Sequence, residues 1–251
     1  MEGPSLLLAS EQLQPLLHHK VKKVSGNTKI DKERLLKKEV LSIFSHGKYL
    51  YFQFDTFALR VHFMLFGSFE ATINKTKVTG DYPRRERPIR LGLEFKIGEV
   101  LMYNCSLRFI EEANAIEKCD FSIDTLSRDW DEKKAYKKLL EEPPSLEIGD
   151  VLLDQTIFMG VGNIIKNEVL YLCKVLPTTK LSELSPYKLK KIIRSIRTYV
   201  FQFYEWRKKF ELRKNYKVYR QKVCKSCEGP VIRKKTGLRD RMSYFCEKCQ
   251  K

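Results

Sequence analysis

Two amines and four thiols stand out in this 251-residue chain as groups whose placement could do chemistry. The amines are the α-amine of Met1, in "MEGPSLL", and the ε-amine of Lys48, in "SHGKYLYF". An amine is a nucleophile only when unprotonated. At pH 7.5 about a third of an ordinary α-amine is neutral, against about 0.1% of an ordinary lysine. The terminal amine therefore starts with an advantage of roughly a few hundredfold. Attack on an aldehyde-like sugar carbon would give a Schiff base, and the neighbouring carboxylate of Glu2 could move protons. Initiator methionine is normally trimmed only ahead of small residues, and glutamate is not small, so Met1 is expected to remain the chain end. Lys48 follows Gly47 at the head of a strand, where a surface lysine on a hairpin is the plainer reading.

The thiols come in two pairs. "CKSC" and "CEKC" set Cys224, Cys227, Cys246 and Cys249 as C-x2-C, eighteen intervening residues, C-x2-C. Each pair can wrap one ion, and four thiolates close a tetrahedron with no open position. One structural Zn2+ is the expectation; a redox C-x2-C and an iron–sulfur cluster are the alternatives. The segment between the pairs, "PVIRKKTGLRDRMSYF", reads as a two-stranded hairpin turned at a glycine, too small to hold its shape without the ion. Cys105, Cys119 and Cys173 are isolated and read as core thiols in a reducing compartment.

These groups need elements to carry them. As far as about residue 120 the chain alternates short apolar, aromatic-rich runs ("YLYFQF", "FALRVHFM", "SFEATI", "RLGLEFKI", "EVLMYNC") with turn signals ("SHGK", "INKTK", "KIGE"). An antiparallel β-sandwich or barrel is predicted, with a short helix over 12–17. After Ser122 the periodicity becomes helical. "DWDEKKAYKKLLEE" ends at Pro143-Pro144, "IGDVLLDQ" is a second apolar segment, and "GVGNIIKNEVLYL" opens a helix. Ser185-Pro186 starts a long helix running to about Phe210. In "GVGN", Gly162 and Asn163, the latter as expected cap, would present a helix N-terminus able to bind an anion such as a DNA phosphate; an ordinary helix–helix turn describes it equally. The predicted fold class is α+β multidomain, divided as 1–124 β-sandwich, 125–222 all-α module and 223–251 zinc hairpin.

Composition narrows the partners. Formal net charge is +17, and from residue 201 onward sixteen Lys and Arg face five Asp and Glu. Basic residues interleaved with Tyr, Phe and Trp favour a polyanion, with nucleic acid ahead of a plain solubilising surface. No apolar run reaches the roughly 18 residues of a membrane span, and no basic region precedes the short apolar "LLLA" as in a secretory signal.

In this order "MEGP", "HGKYL", "LLDQTIFMGVGNIIKNEVL" and "RMSYFCEKCQK" resemble the formamidopyrimidine-DNA glycosylase / endonuclease VIII (Fpg/Nei) family over essentially the whole chain. The resemblance implies a β-sandwich, a helix–two-turn–helix (H2TH) module and a zinc finger, with damaged DNA, double- or single-stranded, in the cleft between them. It implies a bifunctional DNA glycosylase/abasic-site lyase of base excision repair, a hydrolase of N-glycosyl bonds and a lyase. On this resemblance Met1 takes the place of the Schiff-base nucleophile, Glu2 follows as proton shuttle, and Lys48 matches the lysine that donates a proton in elimination and touches phosphate. Asn163 matches the phosphate-binding asparagine, and Arg241 matches the zinc-finger arginine that grips phosphates flanking the lesion and is linked to δ-elimination. Met64, Leu65 and Phe66, in "HFMLFGSF", match the wedge that fills the hole left by a flipped nucleotide. The chain departs from the pattern in offering a primary amine where the family usually has proline. Its short segment before "KVYRQ" lacks the long loop that covers 8-oxoguanine in Fpg-type members. That implies an endonuclease VIII-like preference for oxidised pyrimidines or hydantoins. The expected partner set is DNA alone, with no membrane and no small-molecule cofactor, for a monomer in a bacterial-type cytoplasm or, in a eukaryote, a nucleus. A catalytically silent binder of damaged or abasic DNA and an unrelated zinc-ribbon RNA-binding protein are the rival readings.

Overall fold

A computed structural model describes residues 1–80 and 86–251. The chain forms two compact units, Met1–Cys119 and Asp120–Lys251.

The first unit opens with helix α1 (Gly3–Gln12). Glu2 is extended ahead of it, and its carbonyl accepts from the amides of Ser5 and Leu6 at 3.0 and 3.2 Å. The helix predicted over 12–17 is thus displaced: α1 lies earlier, and 14–16 is only a 3-10 turn. Proline explains both ends. Pro4 is suited to a first helical turn, whereas Pro15 disfavours α geometry in the residue before it. Because α1 is buried along most of its length, it carries no polar face for a pattern to detect.

Seven antiparallel strands follow: β1 (Lys23–Ser25), β2 (Ser42–His46), β3 (Tyr49–Gln53), β4 (Ala58–Ile73), β5 (Thr76–Thr79), β6 (Ile89–Phe95) and β7 (Gly98–Ile110). Their order is β1-β6-β7-β4-β3-β2, with β5 on β4. Two runs predicted as separate strands, "FALRVHFM" and "SFEATI", form the single 16-residue β4. Both ends of the sheet order feed one core with α1, exemplified by Leu6, Phe52, Leu93 and Met102. That shared core joins the seven strands and α1 into the predicted N-terminal β-unit.

In the second unit, α2 (Glu132–Glu141) is capped by the Asp131 carboxylate. The brief α3 (Ile148–Val151) leads to α4 (Asn163–Cys173) and α5 (Pro186–Lys208), the last capped by Ser185 Oγ on the Lys188 amide. These helices share a core that includes Phe158, Ile165, Ile193 and Phe203. The hairpin β8 (Ile232–Thr236) and β9 (Arg241–Phe245) belongs to the same compact unit.

Three consecutive polar residues of α4 explain why hairpin and helices form one body. Lys166 Nζ donates to Ser243 Oγ at 2.8 Å, and Asn167 Oδ1 accepts from the Tyr244 amide at 2.8 Å. Glu168, fully buried, accepts from the amides of Lys217, Val218 and Tyr219 at 2.7–2.9 Å. Buried polar groups are retained only when so satisfied. Among the described residues no helix is long and apolar enough to cross a membrane.

Candidate nucleic-acid interface, amine cluster and metal centre

In the first unit, residues far apart in sequence gather around His62. Strand pairing sets His62 opposite Tyr49, the residue after Lys48. The His62 imidazole is held below its ordinary value of 6.5, first by burial, then by the positive charges of the chain-terminal amine, Lys48 and Arg60. The terminal amine and Lys48 thus both act electrostatically on His62. Met1 is half-buried and packs against the core of the unit, while Glu2 is only 8% exposed. On its other side, His62 Nδ1 lies 3.3 Å from Met64 Sδ. The imidazole thus joins the two amines to the predicted wedge. Sequence reasoning passed over His62, although a histidine two places before Met64 on one strand face was the available signal.

His62 gives the unit a pH dependence. Because its folded-state value is depressed, the unfolded chain binds a proton that the folded chain resists. Stability is therefore complete above about pH 7.5 and falls as pH drops through 6.5. Between pH 7.5 and 5.5 the melting temperature of the wild type should fall further than that of His62→Gln. Equal falls would rule the imidazole out.

The wedge itself is a built loop. β4 and β7 pair regularly up to Phe63↔Cys105 and resume at Ser68↔Tyr103, so 64–67 face Asn104 alone. Excess chain of this kind must bulge from the sheet. Met64 is 46% exposed and Leu65 63%, whereas Phe66 is half-buried with φ at 62°. Of the three, Leu65 is presented furthest. Asn104 Nδ2 donates to the Leu65 carbonyl at 2.7 Å, and Arg87 donates to the Phe66 carbonyl at 2.9 Å. Gly67 completes the loop, since a Cβ there would sit 2.4 Å from the Asn104 carbonyl oxygen. Nothing in the sequence pattern marked Asn104 or Arg87. Asn104→Gly, which tolerates the left-handed backbone at φ 47°, should loosen the loop and weaken abasic-DNA affinity about two- to tenfold, the worth of one hydrogen bond. Fluorescence anisotropy would check this, with an unchanged melting temperature as control.

In the second unit, Gly162 is the N-cap residue of α4 and Asn163 its first residue, without a side-chain cap. The expected capping by Asn163 is thus corrected. Its Nδ2 instead donates to the Met242 carbonyl at 2.8 Å, and its Oδ1 is buried without a hydrogen-bond partner. The reason is position: Asn163 is the first residue inside the helix, one past the cap, and the Met242 carbonyl of β9 orients its amide. That bond places Asn163 beside Arg241, the exposed first residue of β9. The predicted phosphate contacts Asn163 and Arg241, 78 positions apart in the chain, are thereby brought together. At the hairpin turn, Gly237 adopts φ 71° against Asp150, whose carboxylate accepts from the amides of Leu238 and Arg239 at 2.6 and 3.4 Å. Asp150 was invisible to sequence reasoning.

The sulfur atoms of Cys224, Cys227, Cys246 and Cys249 all lie within 4.8 Å of one another. Cys224–Cys249 is 3.7 Å and Cys227–Cys246 is 3.5 Å. A tetrahedron with metal–sulfur bonds of about 2.3 Å has sulfur–sulfur edges of about 3.8 Å, so the set fits one ion. Cys224 and Cys246 are buried and the other two half-buried, and four thiolates around one ion leave no open coordination position. The Tyr171 hydroxyl, 3.1 Å from Cys224 Sγ and 2.7 Å from Ser226 Oγ, ties α4 to this cluster.

Comparison with known proteins agrees with this architecture. Residues 121–202 match the formamidopyrimidine-DNA glycosylase H2TH domain. The chain is 32% identical over 210 residues to endonuclease 8-like 3 of Xenopus laevis, covering 82% of this chain and 33% of that protein. The human endonuclease 8-like 3 is 29% identical over 208 residues, with the same coverage of 82% and 33%. The chain thus spans about a third of the length of these two relatives. Its fold superposes on Lactococcus lactis formamidopyrimidine-DNA glycosylase, solved non-covalently bound to AP-site DNA, with a TM-score of 0.83, 22% identity and full coverage of both chains. The H2TH match, the endonuclease 8-like relatives and the four-cysteine hairpin agree, and together they support the Fpg/Nei family for this chain, on its endonuclease VIII-like side.

Proposed function

We propose that this chain is a DNA glycosylase and abasic-site lyase that excises oxidised bases from DNA. The α-amine of Met1 attacks C1′ of a flipped nucleotide. The bond from nitrogen to C1′ forms as the glycosidic bond breaks, and the base departs. The sugar ring then opens to a Schiff base, with Glu2 carrying protons between the ring oxygen and the amine. Loss of a C2′ proton expels the 3′ phosphate, and a second elimination releases the 5′ phosphate. Lys48 supplies a proton to this sequence. Leu65, flanked by Met64 and Phe66, fills the gap in the stack. Asn163, Gly162 and Arg241 hold the backbone through salt-dependent contacts. Zinc is the ion that four thiolates in a closed site favour; when bound it shapes the hairpin and takes no part in the chemistry.

The observation that carries this reading is the cluster around His62, which joins terminal amine, Lys48 and wedge within one unit. Packing of Met1 against the core supports it further, since the side chain's bulk has a place away from the sugar. The preference for oxidised pyrimidines or hydantoins rests on the segment after α5. Leu212, Tyr216, Val218 and Tyr219 are buried there and Glu168 binds its amides, so that stretch is anchored rather than lying over a base. The test is borohydride reduction with an oligonucleotide bearing one abasic site. A covalent adduct in the intact mass is expected; tight binding with no adduct would identify a silent sensor instead.

A further inference from the structure

Helix α5 carries a second face that the proposed chemistry does not use and that borders the core, with Tyr199 in the core and Trp206 packed against it. Its core face is Leu189, Ile192, Ile193, Ile196, Val200 and Phe203. On another face, Tyr187, Lys191, Arg194, Thr198, Gln202 and Trp206 recur every three or four residues and line a groove of about 490 Å³. The stripe covers nineteen residue steps, or about 28 Å of helix. Its floor is apolar and aromatic. Tyr187 is 76% exposed, Leu172 of α4 is 47% exposed, and Trp206 stands edge-on to Tyr199 at 5.8 Å. The rim is cationic, with Lys190 and Lys217 joining Lys191 and Arg194, and no carboxylate lines the groove. Glu132 takes up Arg194 at 3.0 Å and Lys190 lies over the Tyr136 ring at 5.3 Å, while Lys190, Lys191 and Lys217 are all exposed on the rim.

We propose that this groove docks an acidic amphipathic peptide segment of a partner protein, with aliphatic or aromatic anchors on the floor and Asp or Glu on the lysines. The floor argues for this over nucleic acid. A phosphate backbone is held by exposed cations and backbone amides, whereas a long apolar trough beside one helix matches the i, i+3/i+4, i+7 anchors of a helical ligand. The uniform sign of the rim selects an acidic one. Leu172 lies near the C-terminal end of α4, nine residue steps from Asn163, so about 14 Å of helix separates the groove from the proposed phosphate-binding turn. A peptide here leaves that turn accessible.

The test uses the full chain and a fluorescein-labelled 16-residue peptide with Glu on one helical face and Leu and Phe on the other. Anisotropy should show saturable binding that weakens at least tenfold in Tyr187→Ala/Lys191→Glu. Both residues are exposed and outside the proposed DNA contacts, so the melting temperature and abasic-DNA affinity of that variant should equal wild type. A control peptide with Ser replacing Leu and Phe should also lose at least tenfold. Lack of binding at 100 µM peptide (about the weak limit of a specific contact) would overturn the proposal, as would binding indifferent to the double variant. Displacement of the peptide by an undamaged single-stranded oligonucleotide, with the variant losing both ligands alike, would reassign the groove to nucleic acid.

Discussion

Adding one residue ahead of Met1 is expected to abolish borohydride trapping on abasic DNA while binding changes less than about threefold. The reason is reach and protonation together. A nucleophilic atom must stand about 3–3.5 Å from the carbon it attacks, and one extra residue moves the terminal nitrogen by up to about 3.8 Å. The nitrogen left behind becomes an amide, which has no basic lone pair. Lys48 has a different place in the proposed chemistry, as a proton donor in the elimination rather than as the nucleophile. It also stands among the positive charges acting on His62. Lys48→Ala should therefore keep the trapped adduct but slow strand nicking about 10²–10⁴-fold, the usual worth of a positioned proton donor. Trapping that survives the extension but fails in Lys48→Ala would transfer the nucleophile to the side chain.

Stripping the metal is expected to release the hairpin and weaken affinity for damaged DNA about 10–100-fold, the worth of one charge-assisted contact from Arg241. The apolar contribution at this end of the chain is small. The cysteines share their cluster with buried Tyr171 and Val218 and half-buried Val231 and Tyr244, a small apolar set, so an ion in the site is expected to supply much of the local cohesion. Asp150, Asn163 and Asn167 also bind the hairpin, but these bonds need β8 and β9 already formed. Cys246→Ser should behave like chelation. Thiol labelling would report the release, and DNA anisotropy the loss of grip. Slow labelling with full affinity after chelation would show that packing alone holds the hairpin.

Much of this architecture is written locally. Two C-x2-C pairs define the metal centre because two residues is the spacing at which thiolates wrap one ion. Ser185-Pro186 and Pro143-Pro144 mark helix boundaries because proline fixes φ and removes an amide donor. The family motifs named Met1, Glu2, Lys48, Asn163, Arg241 and the wedge before any contact was known. Other features depend on long-range contacts that no local pattern encodes. Asn163 reads as a cap until β9, 79 residues later, brings the Met242 carbonyl to its amide. "KNE" at 166–168 reads as an ordinary helical stretch until each residue meets a buried partner from the far end of the chain. β4 reads as two runs, "FALRVHFM" and "SFEATI", whereas pairing with β7 on both sides of 64–67 makes the break a bulge in one strand. Helix α1 escaped notice because burial along most of its length erases the polar stripe by which helices are recognised. The candidate reactive groups were thus named from the chain itself. Their neighbours, His62, Asn104 and Asp150 among them, were decided only by tertiary packing, since strand register and helix docking juxtapose residues whose separation in sequence carries no periodic signal.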